Sequence, residues 1–203
     1  MKKLRISSII TLLTISALAL NAQKIKIESG SLTALKGEKE VNVVFVYDGM
    51  SVGKFKSEKD YIEKKKKEAD EKEAGKGAAF ESKWKEAREF QYEPKFIELF
   101  NKNGADMGMK VSQGNKSLKY TFEVKTTFTE PGWNIGISRV PAFINVTITV
   151  LETATQKAVG KVTMLKVPGQ DAMGFDYDSS YRIAEAYAKC GKSLAKFIEK
   201  KTK

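Results

Sequence analysis

The chain has no histidine and only one cysteine, Cys190, in 203 residues. Without imidazole there is no Ser-His-Asp or Cys-His arrangement. Zinc, copper or haem sites built on histidine are excluded as well. Any catalysis would have to run on carboxylate, lysine or tyrosine groups. One cysteine forms no intramolecular disulfide, so the fold must stand on packing. Cys190 lies in a helical pattern with Tyr187, Gly191 and Leu194, where a thiol reads as a small buried hydrophobe. Phosphate-loop spacing is missing too: Val52-Gly53-Lys54 follows an apolar strand but lacks the required glycines. Asp171, Asp176 and Asp178 cluster in one loop without the twelve-residue calcium pattern, and read as a turn and a helix cap. No metal, cofactor or catalytic residue is expected, and there is no internal repeat.

The first 22 residues carry the clearest positive signal. Lys2, Lys3 and Arg5 precede an apolar run from Ile9 to Leu20, which ends at Leu20-Asn21-Ala22. A basic head, a short apolar core and a small residue at the cut are the layout of a secretory signal peptide. The core is shorter than the ~20 residues a spanning helix needs, which disfavours the competing reading, a signal anchor. Cleavage is expected after Ala22, leaving Gln23 first. Gln23 is not a cysteine, so a lipid-modified N-terminus is not expected. The expected location is periplasmic or extracellular, with no transmembrane segment after cleavage.

Removing 22 residues from 203 leaves 181, which suits a single α+β domain over 23–203. The net charge of +11 falls to +8 once the three leader cations are gone. The excess favours acidic partners and anionic surfaces. The basic residues are spread along the chain, though, so they read mainly as solubility. Nucleic acid is not an expected partner, since it would want them on one face with aromatics between.

Ile25 and Ile27 suggest a first strand. Val41 to Tyr47 is nearly all apolar and β-branched, as in a strand buried on both faces. A charged helical segment follows over 57–104. Ser57 caps its first helix, with Asp60 three positions on. That helix runs to Glu73, polar nearly all round, with pairs expected between Asp60 and Lys64, Glu63 and Lys67, and Glu68 and Lys72. Gly75 and Gly77 break it. A second helix begins near Ala79 with the stripe Phe80, Trp84, Ala87, Gln91. Pro94 starts a third piece that ends at Asn103-Gly104.

Leu118 to Phe128 alternates apolar and polar, and Ile144, Val146, Ile148 and Val150 repeat the pattern. One face of each strand is therefore buried and the other wet. Ala158 to Val167 returns as the second arm of a hairpin. The last helix carries the stripe Ile183, Tyr187, Cys190, Leu194 and Phe197 or Ile198 beside a strip of small residues, Ala184, Ala188, Gly191 and Ala195. Small residues admit close approach, so this helix is expected flat on the sheet. The fold class is α+β: a two-layer sandwich whose mainly antiparallel sheet of about four to five strands has helices packed on one face.

Two blocks resemble a known group. One runs from Glu71 to Lys102 and holds Glu71-Lys72-Glu73-Ala74-Gly75-Lys76-Gly77, Trp84, Arg88 and Glu93-Pro94-Lys95-Phe96. The other holds Pro131-Gly132-Trp133-Asn134-Ile135-Gly136 and Pro141-Ala142-Phe143-Ile144-Asn145. Together they are similar to small exported proteins of unknown function from Gram-negative bacteria. The resemblance covers most of the mature chain. It implies an α+β envelope domain with no assigned reaction, and carries over no functional residue.

The remaining candidate site is the connection Glu130 to Ile137. Trp133 sits there among turn formers, with Asn134 beside it. An exposed tryptophan in such a turn would anchor a protein partner or a sugar ring; the alternative is a tryptophan folded over the sheet edge. The expected function is an exported, non-enzymatic binding or assembly protein of the cell envelope, with an envelope protein or glycan as partner. Two alternatives stand beside it: a carboxylate-based envelope glycan hydrolase, and a carrier with an apolar pocket between helix and sheet. The sequence sets no oligomeric state.

Overall fold

The computed structural model describes residues 23–134, 139–169 and 179–203. The leader and the loop with Asp171, Asp176 and Asp178 lie outside the described residues. The strands are β1 (Lys24–Gly30), β2 (Glu40–Val46), β3 (Ser51–Val52), β4 (Lys110–Ser112), β5 (Tyr120–Glu130), β6 (Trp133–Asn134), β7 (Arg139–Val140), β8 (Phe143–Glu152) and β9 (Ala158–Pro168). The helices are α1 (Glu58–Asp70), α2 (Lys76–Ala87), α3 (Glu93–Gly104) and α4 (Ser179–Thr202).

The class is α+β, as expected, but the sheet is larger than four to five strands. Seven strands join in the order β1-β9-β8-β5-β2-β4, with β3 also paired to β5; β6 and β7 form a separate two-stranded ribbon. The pairs β1–β9, β9–β8 and β8–β5 are antiparallel, while β2 and β3 are parallel to β5 and β4 is parallel to β2. The extra strands are β3 and β4, of two and three residues. Segments that short hold no full period of alternation, so pattern alone does not reveal them.

The alternation in β5 and β8 turns into two faces. Phe122, Val124, Ile144, Val146, Ile148 and Val150 are buried on one side. Glu123, Lys125, Thr147 and Thr149 are only partly covered on the other. On the buried side, Phe96 of α3 meets Phe45 edge-on at 5.3 Å, and Phe100 meets Phe122 at 5.9 Å. From α4, the Cys190 Sγ lies 3.7 Å from the Met164 Sδ of β9, and the Tyr187 hydroxyl bonds to Thr126 of β5. Burial also pushes the Cys190 thiol well above its ordinary range, which removes the thiolate that reactivity needs.

Two expectations are corrected. The first concerns β2: Val43 is fully buried and Asn42 is covered on the opposite face, yet Val44 is 38% exposed, so this strand is not buried on both faces throughout. Its β-branched residues serve strand propensity on the open side. The second concerns the small-residue strip of α4. A Cβ on Gly191 would fall 2.2 Å from the Phe96 carbonyl oxygen. That strip lets α4 approach α3, while the large-residue stripe meets the sheet.

Ser57 caps α1 as expected, accepting the Asp60 N–H at 3.1 Å. The ion pairs differ from the expected set: Lys59 with Glu63, and Lys64 and Lys65 both with Glu68. Lys66 leaves the helix surface altogether and pairs with Glu81 of α2. Residues Arg88–Tyr92 wind as a π-helix between α2 and α3, with the Glu93 N–H reaching the Arg88 carbonyl. Pro94 explains the widening. It has no N–H for the carbonyl four residues back, and its ring needs the room that a π-turn supplies.

Candidate functional site

Glu58 opens α1 and fixes the α1–α2 hairpin to the body. Its carboxylate accepts the Trp84 indole N–H at 2.6 Å and pairs with Arg88. The Arg88 guanidinium in turn lies 4.2 Å over the Tyr47 ring, and the Tyr47 hydroxyl donates to Glu93 at 3.2 Å. Behind it, Tyr92 stacks on Tyr187 at 5.1 Å. The cavity enclosed by Tyr47, Glu58, Arg88 and Tyr187 is about 10 Å³. That is room for roughly one water and no ligand.

The hairpin so fixed walls one side of a groove of about 660 Å³. From it come Tyr61, Lys65 and Phe80; the turn after β3 adds Gly53, Lys54 and Phe55. Tyr61 meets Phe55 at 5.7 Å, Phe80 at 6.1 Å and Trp84 at 4.9 Å, so the wall is a continuous aromatic cluster. Burial pushes the Tyr61 hydroxyl up to about 12, with the Glu130 and Glu68 charges adding to it and Arg182 opposing. The phenol is therefore a neutral donor at any physiological pH.

The opposite side is the turn from β5 into β6, with Glu130, Pro131, Gly132 and Trp133, together with Ser179 and Arg182 of α4. This turn is held from three directions. The Gly132 N–H donates to the Glu130 Oε1 at 3.1 Å. Arg182, itself buried, donates Nε to the Pro131 carbonyl at 3.2 Å and Nη2 to the Gly132 carbonyl at 3.1 Å. β6 pairs with β7 through Trp133 and Val140. Gly132 has φ +67°, and a Cβ there would sit 2.6 Å from the Val140 carbonyl oxygen. Only glycine fits. The result presents Trp133 at the groove rim with 41% of its surface exposed.

Both sequence-derived site residues thus have a place. Trp133 lines the groove, and Asn134 pairs through its backbone with Arg139 in the β6–β7 ribbon. Phe55, Lys54, Tyr61 and Lys65 join the site without having been singled out for it. Gly53-Lys54, set aside as a phosphate loop, lines the groove instead. Their only sequence signal was ordinary turn and helix patterning. Among the described residues there is no group of three potential metal ligands, and no helix is long and apolar enough to cross a membrane.

No protein-family model and no curated protein matches the chain. Solved structures give remote likenesses. The PelC dodecamer of Paraburkholderia phytofirmans is 12% identical, with 86% of this chain and 98% of that one covered, at a TM-score of 0.39. A Xanthomonas campestris protein of family DUF330 is 15% identical over 48% of this chain and 55% of its own, at 0.33. A neuraminyllactose-binding hemagglutinin homologue from Helicobacter pylori is 14% identical over 82% and 92%, at 0.32. Likenesses this distant assign no role to the groove.

Proposed function

We propose that this chain is an exported, non-enzymatic binding or assembly protein of the cell envelope, and that the groove beneath Trp133 holds its partner. The half-exposed Trp133 at the rim of a 660 Å³ groove carries this reading. Ligand sites are concave, within about 300–1,000 Å³, and lined by aromatic side chains with a few convergent polar groups. Here those groups are Glu130, Lys54, Lys65 and the Tyr61 hydroxyl. A tryptophan offers large contact area at low entropic cost and is among the residues enriched at binding hot spots. Glycine and arginine hold its turn rigid, so little ordering is left for the moment of binding.

The test compares wild type with Trp133→Ala immobilised on a support and exposed to solubilised envelope material. The expected result is loss of the retained glycan or protein with a melting temperature nearly unchanged. Equal retention by both proteins removes Trp133 from the site. The hydrolase alternative would use Glu130 as one of its two carboxylates. Glycan cleavage by wild type that disappears in Glu130→Gln would establish it; no turnover by either protein is expected.

A further inference from the structure

Resting on that reading of the groove, we propose that its ligand is a neutral saccharide, held by its hydroxyl groups and by the apolar face of its rings. The decisive group is Tyr61. It is only 7% exposed, yet its hydroxyl makes no hydrogen bond among the described residues. Two of the charges that act on that hydroxyl, Glu130 and Arg182, stand on the opposite wall, so it faces the gap between them. A covered hydroxyl is costly unless something polar meets it.

Two further groups are open beside it. Glu130 gives Oε1 to the Gly132 N–H at 3.1 Å. Its Oε2 borders Gly53, where an added Cβ would lie 3.7 Å away and no side chain fills the space. The Lys54 ammonium lies 5.8 Å from the centre of the Phe55 ring and pairs with no carboxylate among the described residues. The other cations are engaged. Glu68 holds Lys65 at 2.8 Å, and Arg182 is turned to the Pro131 and Gly132 carbonyls. The charges left facing a ligand are Lys54 and Glu130, one of each sign.

A fitting ligand therefore gives donors to Glu130, acceptors to Lys54 and either to Tyr61, without net charge. Sugar hydroxyls do so, since each donates and accepts and rotates to suit. An acidic ligand would be repelled by Glu130 and a basic one by Lys54. Trp133, Phe55 and Phe80 supply flat apolar surface. The negative face of an aromatic ring attracts the weakly positive C–H groups on one side of a pyranose ring. A peptide is served less well. The Gly53 and Phe55 N–H groups already bond to the Thr129 and Val52 carbonyls, each at 2.9 Å, and the Gly132 N–H to Glu130. An extended chain would find those backbone donors taken and form no ladder with them.

The test titrates the purified protein with tetrasaccharides of glucose, mannose and N-acetylglucosamine, a galacturonate tetrasaccharide and tetraproline. Calorimetry and tryptophan fluorescence report binding. At least one neutral sugar is expected to bind about tenfold or more tighter than the uronate and tetraproline. Its affinity should hold steady as salt rises from about 50 to about 300 mM. Tyr61→Phe removes the hydroxyl alone; it should weaken binding several-fold and leave the melting temperature unchanged or slightly raised. Trp133→Ala and Lys54→Met should also weaken binding, whereas Lys157→Ala, on the exposed β8–β9 turn, should not. Full binding by Tyr61→Phe overturns the proposal, and so does a marked fall in its melting temperature, which would mean that the hydroxyl has a partner within the protein. Equal or tighter binding of the uronate overturns the neutral assignment. Binding of tetraproline alone overturns the saccharide assignment and leaves the groove as a peptide site. Failure of every neutral sugar at millimolar concentration also overturns the proposal; the retention experiment with Trp133→Ala then decides separately whether the groove binds anything.

Discussion

Val43 and Val44 are adjacent in β2 and live in opposite surroundings. Val43 is fully buried in the core, opposite Phe122 on β5. Val44 pairs with Glu123 on the open face and keeps 38% of its surface. Val43→Asp should cost several kcal/mol, because a charge buried there has no partner. Val44→Lys should change stability by less than about 1 kcal/mol, since it gains Glu123 as a cross-strand neighbour. Urea melts of the two variants check this, and equal losses would mean that the outer face of β2 is covered. The same residues show why composition misled the sequence reading. An apolar, β-branched run states only that a strand is favoured. Whether its second face is covered depends on what the other elements leave bare, and no local pattern encodes that.

The α1–α2 hairpin is the element on which the groove depends, and its charges are organised across it as well as along it. Glu81 of α2 takes Lys66 from α1 and Lys85 from its own helix, at 2.6 Å for the latter. Those hydrogen bonds, Lys66 first, hold the Glu81 carboxyl down at about 2, against an ordinary 4.5. A depressed carboxyl lends stability that is present above the unfolded value. It is lost as pH falls from about 4.5 towards 2. Glu81→Gln should therefore lower the melting temperature at neutral pH by a margin that shrinks to nothing near pH 2. Thermal melts from pH 2 to 7 measure it, and a constant margin would exclude the ion pairs as its cause. Most of the elements were legible in the sequence. The Ser57 cap, the Pro94 restart, the β8–β9 hairpin and the buried stripe of α4 all follow from local chemistry. Lys66 was not legible: it read as one more residue of a polar, solvated helix, whereas its partner is fifteen residues away on a helix whose position depends on the turn between. Gly77 makes that turn tight, with its N–H 2.7 Å from the Asp70 Oδ1.

Across the whole molecule, the sheet is stitched from both ends of the chain. β1 at the start pairs with β9 near the end, placing Ile25 beside Met164 and Ile27 beside Val162. The groove is likewise assembled from β3, α1, α2, the β5–β6 turn and α4, which is why only Trp133 and its turn drew attention in the sequence. An exposed aromatic among turn formers is a local signal, whereas Lys54 and Glu130 lining one groove is a product of topology. The same joining of ends bears on export. Gln23 accepts the Ser193 hydroxyl at 3.2 Å, and β1 begins at the next residue. A cut after Ala22 would therefore leave no slack before β1 and keep every described strand. Deleting Met1 to Ala22 should trap the protein in the cytoplasm with its stability unchanged. Mass spectrometry of exported protein should find Gln23 as the first residue. Membrane-embedded material retaining Met1 would make the leader an anchor, and a cut within β1 would strip Ile25 and Ile27 from the sheet and lower the melting temperature.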